Sequence, residues 1–139
     1  MERVKIGLLG AGRMGKNHAR VYSTLKGAEL VAVVDSDLER ARQIADRFGG
    51  HATGCIQDLV GEIDAASIAV PSSAHHEVGL ELMTMGVDCL IEKPIAASLE
   101  EADQVLVRLE EPVFGDRAID DALGLGSQHG VTVSRSVDA

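Results

Sequence analysis

The stretch Val4-Lys5-Ile6-Gly7-Leu8-Leu9-Gly10-Ala11-Gly12-Arg13-Met14-Gly15-Lys16-Asn17-His18-Ala19-Arg20 decides the fold. Val4, Ile6, Leu8 and Leu9 are strand-like and apolar, as a strand covered on both faces of a parallel sheet must be, and Lys5 is the single charge. Met14, His18, Val21, Tyr22 and Leu25 recur at spacings of three and four, which predicts one face of a helix. Gly10, Gly12 and Gly15 form a G-x-G-x-x-G turn between the two. Gly10 permits the tight exit from the strand, Gly12 lets the backbone approach a pyrophosphate, and Gly15 lets the helix pack close to the sheet. The helix start then offers unpaired N–H groups and a partial positive charge to phosphates. That motif alone is weak, because methyltransferases and structural loops also match it. Asp35 strengthens it: this acid ends a second apolar strand, Leu30 to Val34, and lies 20 residues beyond Gly15, where a ribose-binding carboxylate is expected. The pattern reads as a dinucleotide site.

A chain of 139 residues is long enough for one domain with a core and too short for two full ones. The net charge of −9 argues against nucleic acid or an anionic membrane as partner, since no basic block interrupts the acidic balance. Cys55 and Cys89 form no C-x-x-C pair, so neither a disulfide framework nor a zinc site is indicated, no metal site is expected, and a reducing cytoplasm fits. Neither a signal peptide nor a membrane span is recognisable, because Glu2 and Lys5 break the early apolar run and no later run is long enough.

Working outward, the first helix is expected to stop at Lys26-Gly27, with Gly27 as a left-handed cap. Ser36 and Glu39 read as a capping box for a second helix carrying Leu38, Ala41, Ile44, Ala45 and Phe48, ended by Gly49-Gly50. A brief third strand at residues 51–53 and a helical turn follow. Ala65 to Val70 is a fourth strand halted by Pro71. Ser72 or Ser73 is expected to cap a helix with Val78, Leu82, Met83 and Met85, closed by Gly86. Cys89 to Ile91 makes a fifth strand, and Glu92-Lys93-Pro94 sits at its carboxyl end, where open parallel sheets place ligand groups. Ser98 and Glu101 cap a helix bearing Leu99, Ala102, Val105, Leu106 and Leu109, and residues 130–137 offer a sixth strand. Strands alternating with helices predict an α/β fold, a doubly wound parallel sheet of the Rossmann type in a single domain.

Three blocks, Gly7 to His18, Val70 to Leu82 (V-P-S-S-A-H-H-E-V-G-L-E-L) and Cys89 to Ser98 (C-L-I-E-K-P-I-A-A-S), resemble the amino-terminal domain of the glucose-fructose oxidoreductase and inositol dehydrogenase family, often called Gfo/Idh/MocA. The resemblance covers residues 3–109 and implies an NAD(P)-dependent oxidoreductase acting on sugars, polyols and related cyclic compounds. It puts the pyrophosphate on Gly10, Ala11, Gly12, Arg13 and Met14, with Gly15 behind them, and the adenosine ribose on Asp35 beside Ser36. A carboxylate there accepts bonds from both ribose hydroxyls and repels a 2′-phosphate, so NAD is expected over NADP. Arg40 bears on that choice and reads as a solvated helix residue. Pro71 and Ser72 match positions lining the cofactor, and His75 matches a family histidine, with capping of the helix start as its competing reading. His18 reads as a packed core histidine. Lys93 is the implied catalytic residue, its ammonium hydrogen-bonding the substrate oxygen that gains charge as hydride moves, with a surface lysine before a turn proline as the competing reading; Glu92 orients it or caps backbone groups.

The family continues into a second domain that holds substrate, and this chain ends before it. The division implied is a cofactor domain over residues 1–112 and a divergent tail over 113–139, with the last helix and strand of the sheet as the tail's alternative reading. Two other functions are weighed against the oxidoreductase: a non-catalytic NAD-binding sensor or assembly module, and an S-adenosylmethionine methyltransferase, against which the E-K-P block argues. A homo-oligomer, or a separate chain supplying the substrate domain, is the expected kind of protein partner.

Overall fold

The computed structural model describes residues 3–91 and 98–100 and the backbone of 132–134. Strands β1 (Val4–Leu9), β2 (Ala28–Val34), β3 (His51–Thr53), β4 (Ala65–Ile68) and β5 (Asp88–Ile91) run parallel in the order β3-β2-β1-β4-β5. Helices α1 (Arg13–Thr24), α2 (Leu38–Phe48) and α3 (His75–Thr84) connect them, and a 3-10 turn, Ile56–Leu59, follows β3. The expected doubly wound sheet is thus present through β5. Strand β6 (Thr132–Ser134) corrects the expectation of a wholly parallel sheet, because it pairs antiparallel to β5. The outer edge of β5 presents N–H and C=O groups that a strand of either direction can satisfy. Of the helix expected from Leu99 onward only residues 98–100 are described, and Leu99 is 85% exposed.

Alternation along the strands divides the core between the two faces of the sheet. Ile6 and Leu8 of β1 join Ala19 and Tyr22 of α1 and Ala41, Ile44 and Ala45 of α2 on one face. Leu9 joins Ile68, Leu82, Met83 and Ile91 on the other, under α3. Side chains such as Leu8, Ile68 and Leu82 are completely buried, each contributing about 1.5–3 kcal/mol by removal of apolar surface from water. In β2 the alternation changes phase. Ile6 pairs with Leu30 but Gly7 pairs with Ala32, so Val31 is a bulged residue. Leu30 and Val33 therefore share one face while Ala32 and Val34 share the other, and Val34 reaches the cleft described below.

Helix α1 buries Gly15, Ala19 and Tyr22, whereas Met14 and Val21 are exposed. The expected stripe of large side chains is rotated, because small residues are what let the helix lie close to β1. It also ends at Thr24 with an extended Leu25 cap, and Gly27 has no positive φ; the left-handed cap expected there is absent. Asp37, not Ser36, caps α2 by accepting the Arg40 N–H at 3.3 Å. Gly49 and Gly50, both at positive φ, end that helix as expected, and so does Gly86 after α3. Residues Ser72–Ala74 form a 3-10 turn and neither serine caps α3.

Candidate functional site

The carboxyl ends of β1, β2 and β4 border a cleft of about 690 Å³. β1 leads through α1 to one side of the sheet and β3 leads to β4 on the other, so the cleft sits at the topological switch point, where open α/β sheets bind ligands.

The glycine turn forms its floor. Gly10 has φ +102° and donates its N–H to Val34 O at 2.8 Å; a Cβ there would stand 2.5 Å from Ala69 O. A Cβ on Gly15 would collide with the Gly10 carbonyl, its carbon 2.8 Å away and its oxygen closer still. These two glycines hold strand, turn and helix together. Gly12 differs: a Cβ there would meet only the Arg40 guanidinium at 3.0 Å, and the residue lines the open cleft. Gly12 is the N-cap of α1 and no side chain caps the helix, which leaves first-turn N–H groups and the positive end of the dipole for a ligand anion.

Asp35, half-buried at the end of β2, is fixed from two sides. Its Oδ2 accepts the Ala11 N–H at 2.7 Å and its Oδ1 accepts the Asp37 N–H at 2.8 Å. A carboxylate oxygen accepts more than one bond, so each retains capacity for a hydroxyl. Ser36 and Arg40 stand beside it at the rim. The facing wall is apolar, with Ile56, Ala69, Val70, Pro71, Ala74 and Val78. An anion cradle, a fixed carboxylate and an apolar slot in series fit the pyrophosphate, ribose and planar base of a dinucleotide.

Of the residues singled out from sequence, Gly10, Gly12, Arg13, Met14, Asp35, Ser36 and Pro71 line this cleft. Ala11 and Gly15 are buried beneath the turn. Ser72 is exposed and does not line the cleft. His75 is 2% exposed, and its Nε2–H donates to Val70 O at 3.0 Å; that bond ties the start of α3 to the segment after β4, and the ring does not line the cleft. His18 is partly buried, with Nδ1 2.5 Å from the hydroxyl of the buried Ser67. Glu92 and Lys93 lie outside the described residues. Arg40 is exposed yet lines the cleft. Gly54, Ile56, Ala74 and Val78 were not legible as site residues. The one signal for them is position, either just after the carboxyl end of β3 or one turn apart at the start of α3.

Comparison with known proteins gives the same architecture a lineage. A family model described as an oxidoreductase family with an NAD-binding Rossmann fold matches residues 4–112. UDP-N-acetylglucosamine 3-dehydrogenase of Acidithiobacillus ferrooxidans is 36% identical over 80% of this chain and 35% of its own length. Glucose-6-phosphate 3-dehydrogenase of Bacillus subtilis is 38% identical over 70% of this chain and 28% of its own length. The crystal structure of myo-inositol dehydrogenase from Lactobacillus casei, in complex with NAD(H) and myo-inositol, superposes with a TM-score of 0.71 and 31% identity, covering 76% of this chain and 32% of that one. The chain spans about a third of the length of the curated relatives it matches. These matches lend no support to a methyltransferase.

Proposed function

The chain belongs to the Gfo/Idh/MocA oxidoreductase family, whose matched domain is an NAD-binding Rossmann fold, and we propose that it supplies the cofactor side of hydride transfer between NAD and a CH–OH group of a sugar or polyol. One observation carries this reading: an uncapped helix N-terminus and a doubly anchored carboxylate face the same cleft, a pyrophosphate and a ribose apart in function.

Residues 1–112 are assigned as the cofactor domain and 113–139 as a divergent tail, of which residues 132–134 add β6 to the edge of that domain's sheet. Of the expected Gly10–Met14 stretch, Gly12 to Met14 bind the pyrophosphate through backbone N–H groups, while Gly10 and Ala11 spend theirs on Val34 O and Asp35 Oδ2 to fix the turn, with Gly15 packed behind them. Asp35 orients the adenosine ribose, with Ser36 beside it, and Pro71 belongs to the wall beyond β4, whereas the exposed Ser72 is left out of it. His75 acts on the site by fixing the backbone at Val70. When bound, NAD supplies the hydride acceptor. Lys93, in the E-K-P block, is assigned to the substrate oxygen: as the neutral amine it takes the carbinol proton while hydride leaves the carbinol carbon, the ammonium so formed returns that proton in the reverse direction, and Glu92 orients it. The groups that enclose the substrate come from another domain or chain, given the third of the relatives' length that is matched, and self-association is the expected assembly. Cytoplasmic residence accords with Cys55 and Cys89 not being joined in a disulfide; among the described residues no helix is long and apolar enough to cross a membrane.

Calorimetric titration with NADH and with S-adenosylmethionine tests the reading. Saturable binding of NADH and none of S-adenosylmethionine is expected, and the reverse would overturn it. With the substrate-bearing part present, Lys93→Met is expected to retain NADH affinity and lose turnover; loss of affinity with intact chemistry would refute that role. A non-catalytic sensor would show NADH binding with no turnover in any assembly.

A further inference from the structure

The apolar wall of the cleft is assembled from segments far apart in the chain. Ile56 comes from the 3-10 turn after β3, and Val78 comes from α3. The turn is pinned to the sheet by the completely buried Leu59 and by Asp58 Oδ2, which accepts the Thr53 hydroxyl at 2.5 Å. The Cys55 N–H adds a bond to Thr53 Oγ1 at 3.2 Å. Toward α3 the tie is made by Gln57, the neighbour of Ile56, whose Nε2–H donates to Glu81 Oε1 across 24 residues of sequence. Glu81 stands three residues beyond Val78, on the same side of the helix. The amide is held in that orientation because its Oε1 accepts the Cys55 thiol S–H at 2.9 Å; turned over, it would set oxygen against the Glu81 carboxylate.

Neither Gln57 nor Glu81 lines the cleft, whereas Ile56 and Val78 beside them do. Gln57 is exposed and Glu81 half-buried, so their bond contributes little to the stability of the fold. Its consequence for the slot is larger: with Leu59 fixed, the bond decides how far Ile56 stands from Val78. A planar base entering between walls already in place binds without the cost of ordering them. A loose Ile56 would bear that cost and would admit larger bases. Resting on the dinucleotide reading above, we infer that Gln57 and Glu81 are positioning residues for the adenine, and that their hydrogen bond sets the span of the slot and with it the affinity and base selectivity of the cofactor site.

The test titrates the full chain with NAD and with etheno-NAD, whose adenine carries an additional fused ring. The parent is compared with Gln57→Ala, with Glu81→Ala, and with the exchange Gln57→Glu plus Glu81→Gln, which restores an amide–carboxylate bond in the opposite sense. Circular dichroism and urea midpoints verify that the variants are folded. Each alanine variant is expected to weaken NAD by about threefold to tenfold, the scale of one hydrogen bond. Each should also reduce the preference for NAD over etheno-NAD by at least about threefold, and the exchange should return both readouts to within about twofold of the parent. A merely structural tie would lower the unfolding midpoint and leave the ratio of the two affinities unmoved, and that result overturns the assignment. Unchanged NAD affinity in both alanine variants, an exchange variant no better than either alanine, or a parent that binds both nucleotides equally also overturns it. Absence of NAD binding in the parent would instead sink the dinucleotide reading itself, and this assignment with it.

Discussion

Gly15→Ala and Gly12→Ala separate the two uses of glycine in the turn. At Gly15 the added methyl would lie 2.8 Å from the Gly10 carbonyl carbon and nearer to its oxygen, with Leu8 Cδ2 at 3.9 Å. The obstacle is backbone, and moving it opens the turn or lifts α1 from the sheet. Overpacking of this kind costs about 1–3 kcal/mol. Alanine gains about 1 kcal/mol of helix propensity over glycine, but the contact with fixed backbone keeps the cost at or above the upper end, for a net loss of about 2 kcal/mol. At Gly12 the methyl meets only the mobile end of Arg40, and the backbone angles there, φ −82° and ψ −161°, suit any residue. Its stability should fall by less than about 1 kcal/mol, the worth of a poorer cap, while the methyl intrudes where the ligand anion approaches and weakens NADH by at least about tenfold, or 1.4 kcal/mol. With one Tyr and no Trp, urea unfolding is best followed by far-ultraviolet circular dichroism. At a slope of about 1–1.5 kcal/mol per M, the Gly15→Ala midpoint should drop by about 1.3–2 M. A Gly15→Ala midpoint within about 0.3 M of the parent chain, or equal destabilisation by both substitutions, would refute this division of labour.

Asp35→Ala removes the acceptor of two backbone N–H groups as well as the ribose contact; it should cost about 1–3 kcal/mol in urea unfolding and at least about tenfold in NADH affinity, whereas loss of either effect without the other would show that the carboxylate serves only one purpose. Asp37→Ala, which deletes the cap of α2, should lower stability by about 1 kcal/mol, and an unchanged unfolding midpoint would argue for Ser36 as the true cap. Ser67→Ala leaves His18 without its buried hydroxyl partner and is expected to cost about 1 kcal/mol in the same assay; a neutral result would mean that the imidazole is satisfied elsewhere.

The glycine turn, Asp35 and the alternation of strands with helices were legible because each follows from local chemistry. A positive-φ Gly10, a cap such as Gly86 and a valine-rich run such as Val31 to Val34 announce themselves within a few residues. The buried face of α1 was misread because apolar periodicity favours Met14 and Val21, while close packing selected Gly15 and Ala19, which periodicity scarcely weighs. Ser36 and Asp37 are adjacent candidates for one cap, and only the angle at which the chain leaves β2 chooses between them. The bulge at Val31 has no sequence marker, since Val31, Ala32 and Val33 suit either face. Ile56, Ala74 and Val78 reach the cleft through long-range packing of segments after β3 and β4, which no single window contains. His75 looked like a cap or a ligand contact; its burial follows from a 3-10 turn that Ser72 and Ser73 begin rather than a helix that they cap.

Crystals of the chain grown with NAD would test most directly whether the β1 turn and Asp35 form one dinucleotide site. Density is predicted for a pyrophosphate against the backbone N–H groups of Gly12 to Met14, with both adenosine ribose hydroxyls on the Asp35 carboxylate and the adenine in the slot beside Ile56 and Val78. A dinucleotide bound with its phosphates away from the start of α1, or with Asp35 turned from the sugar, would contradict the account.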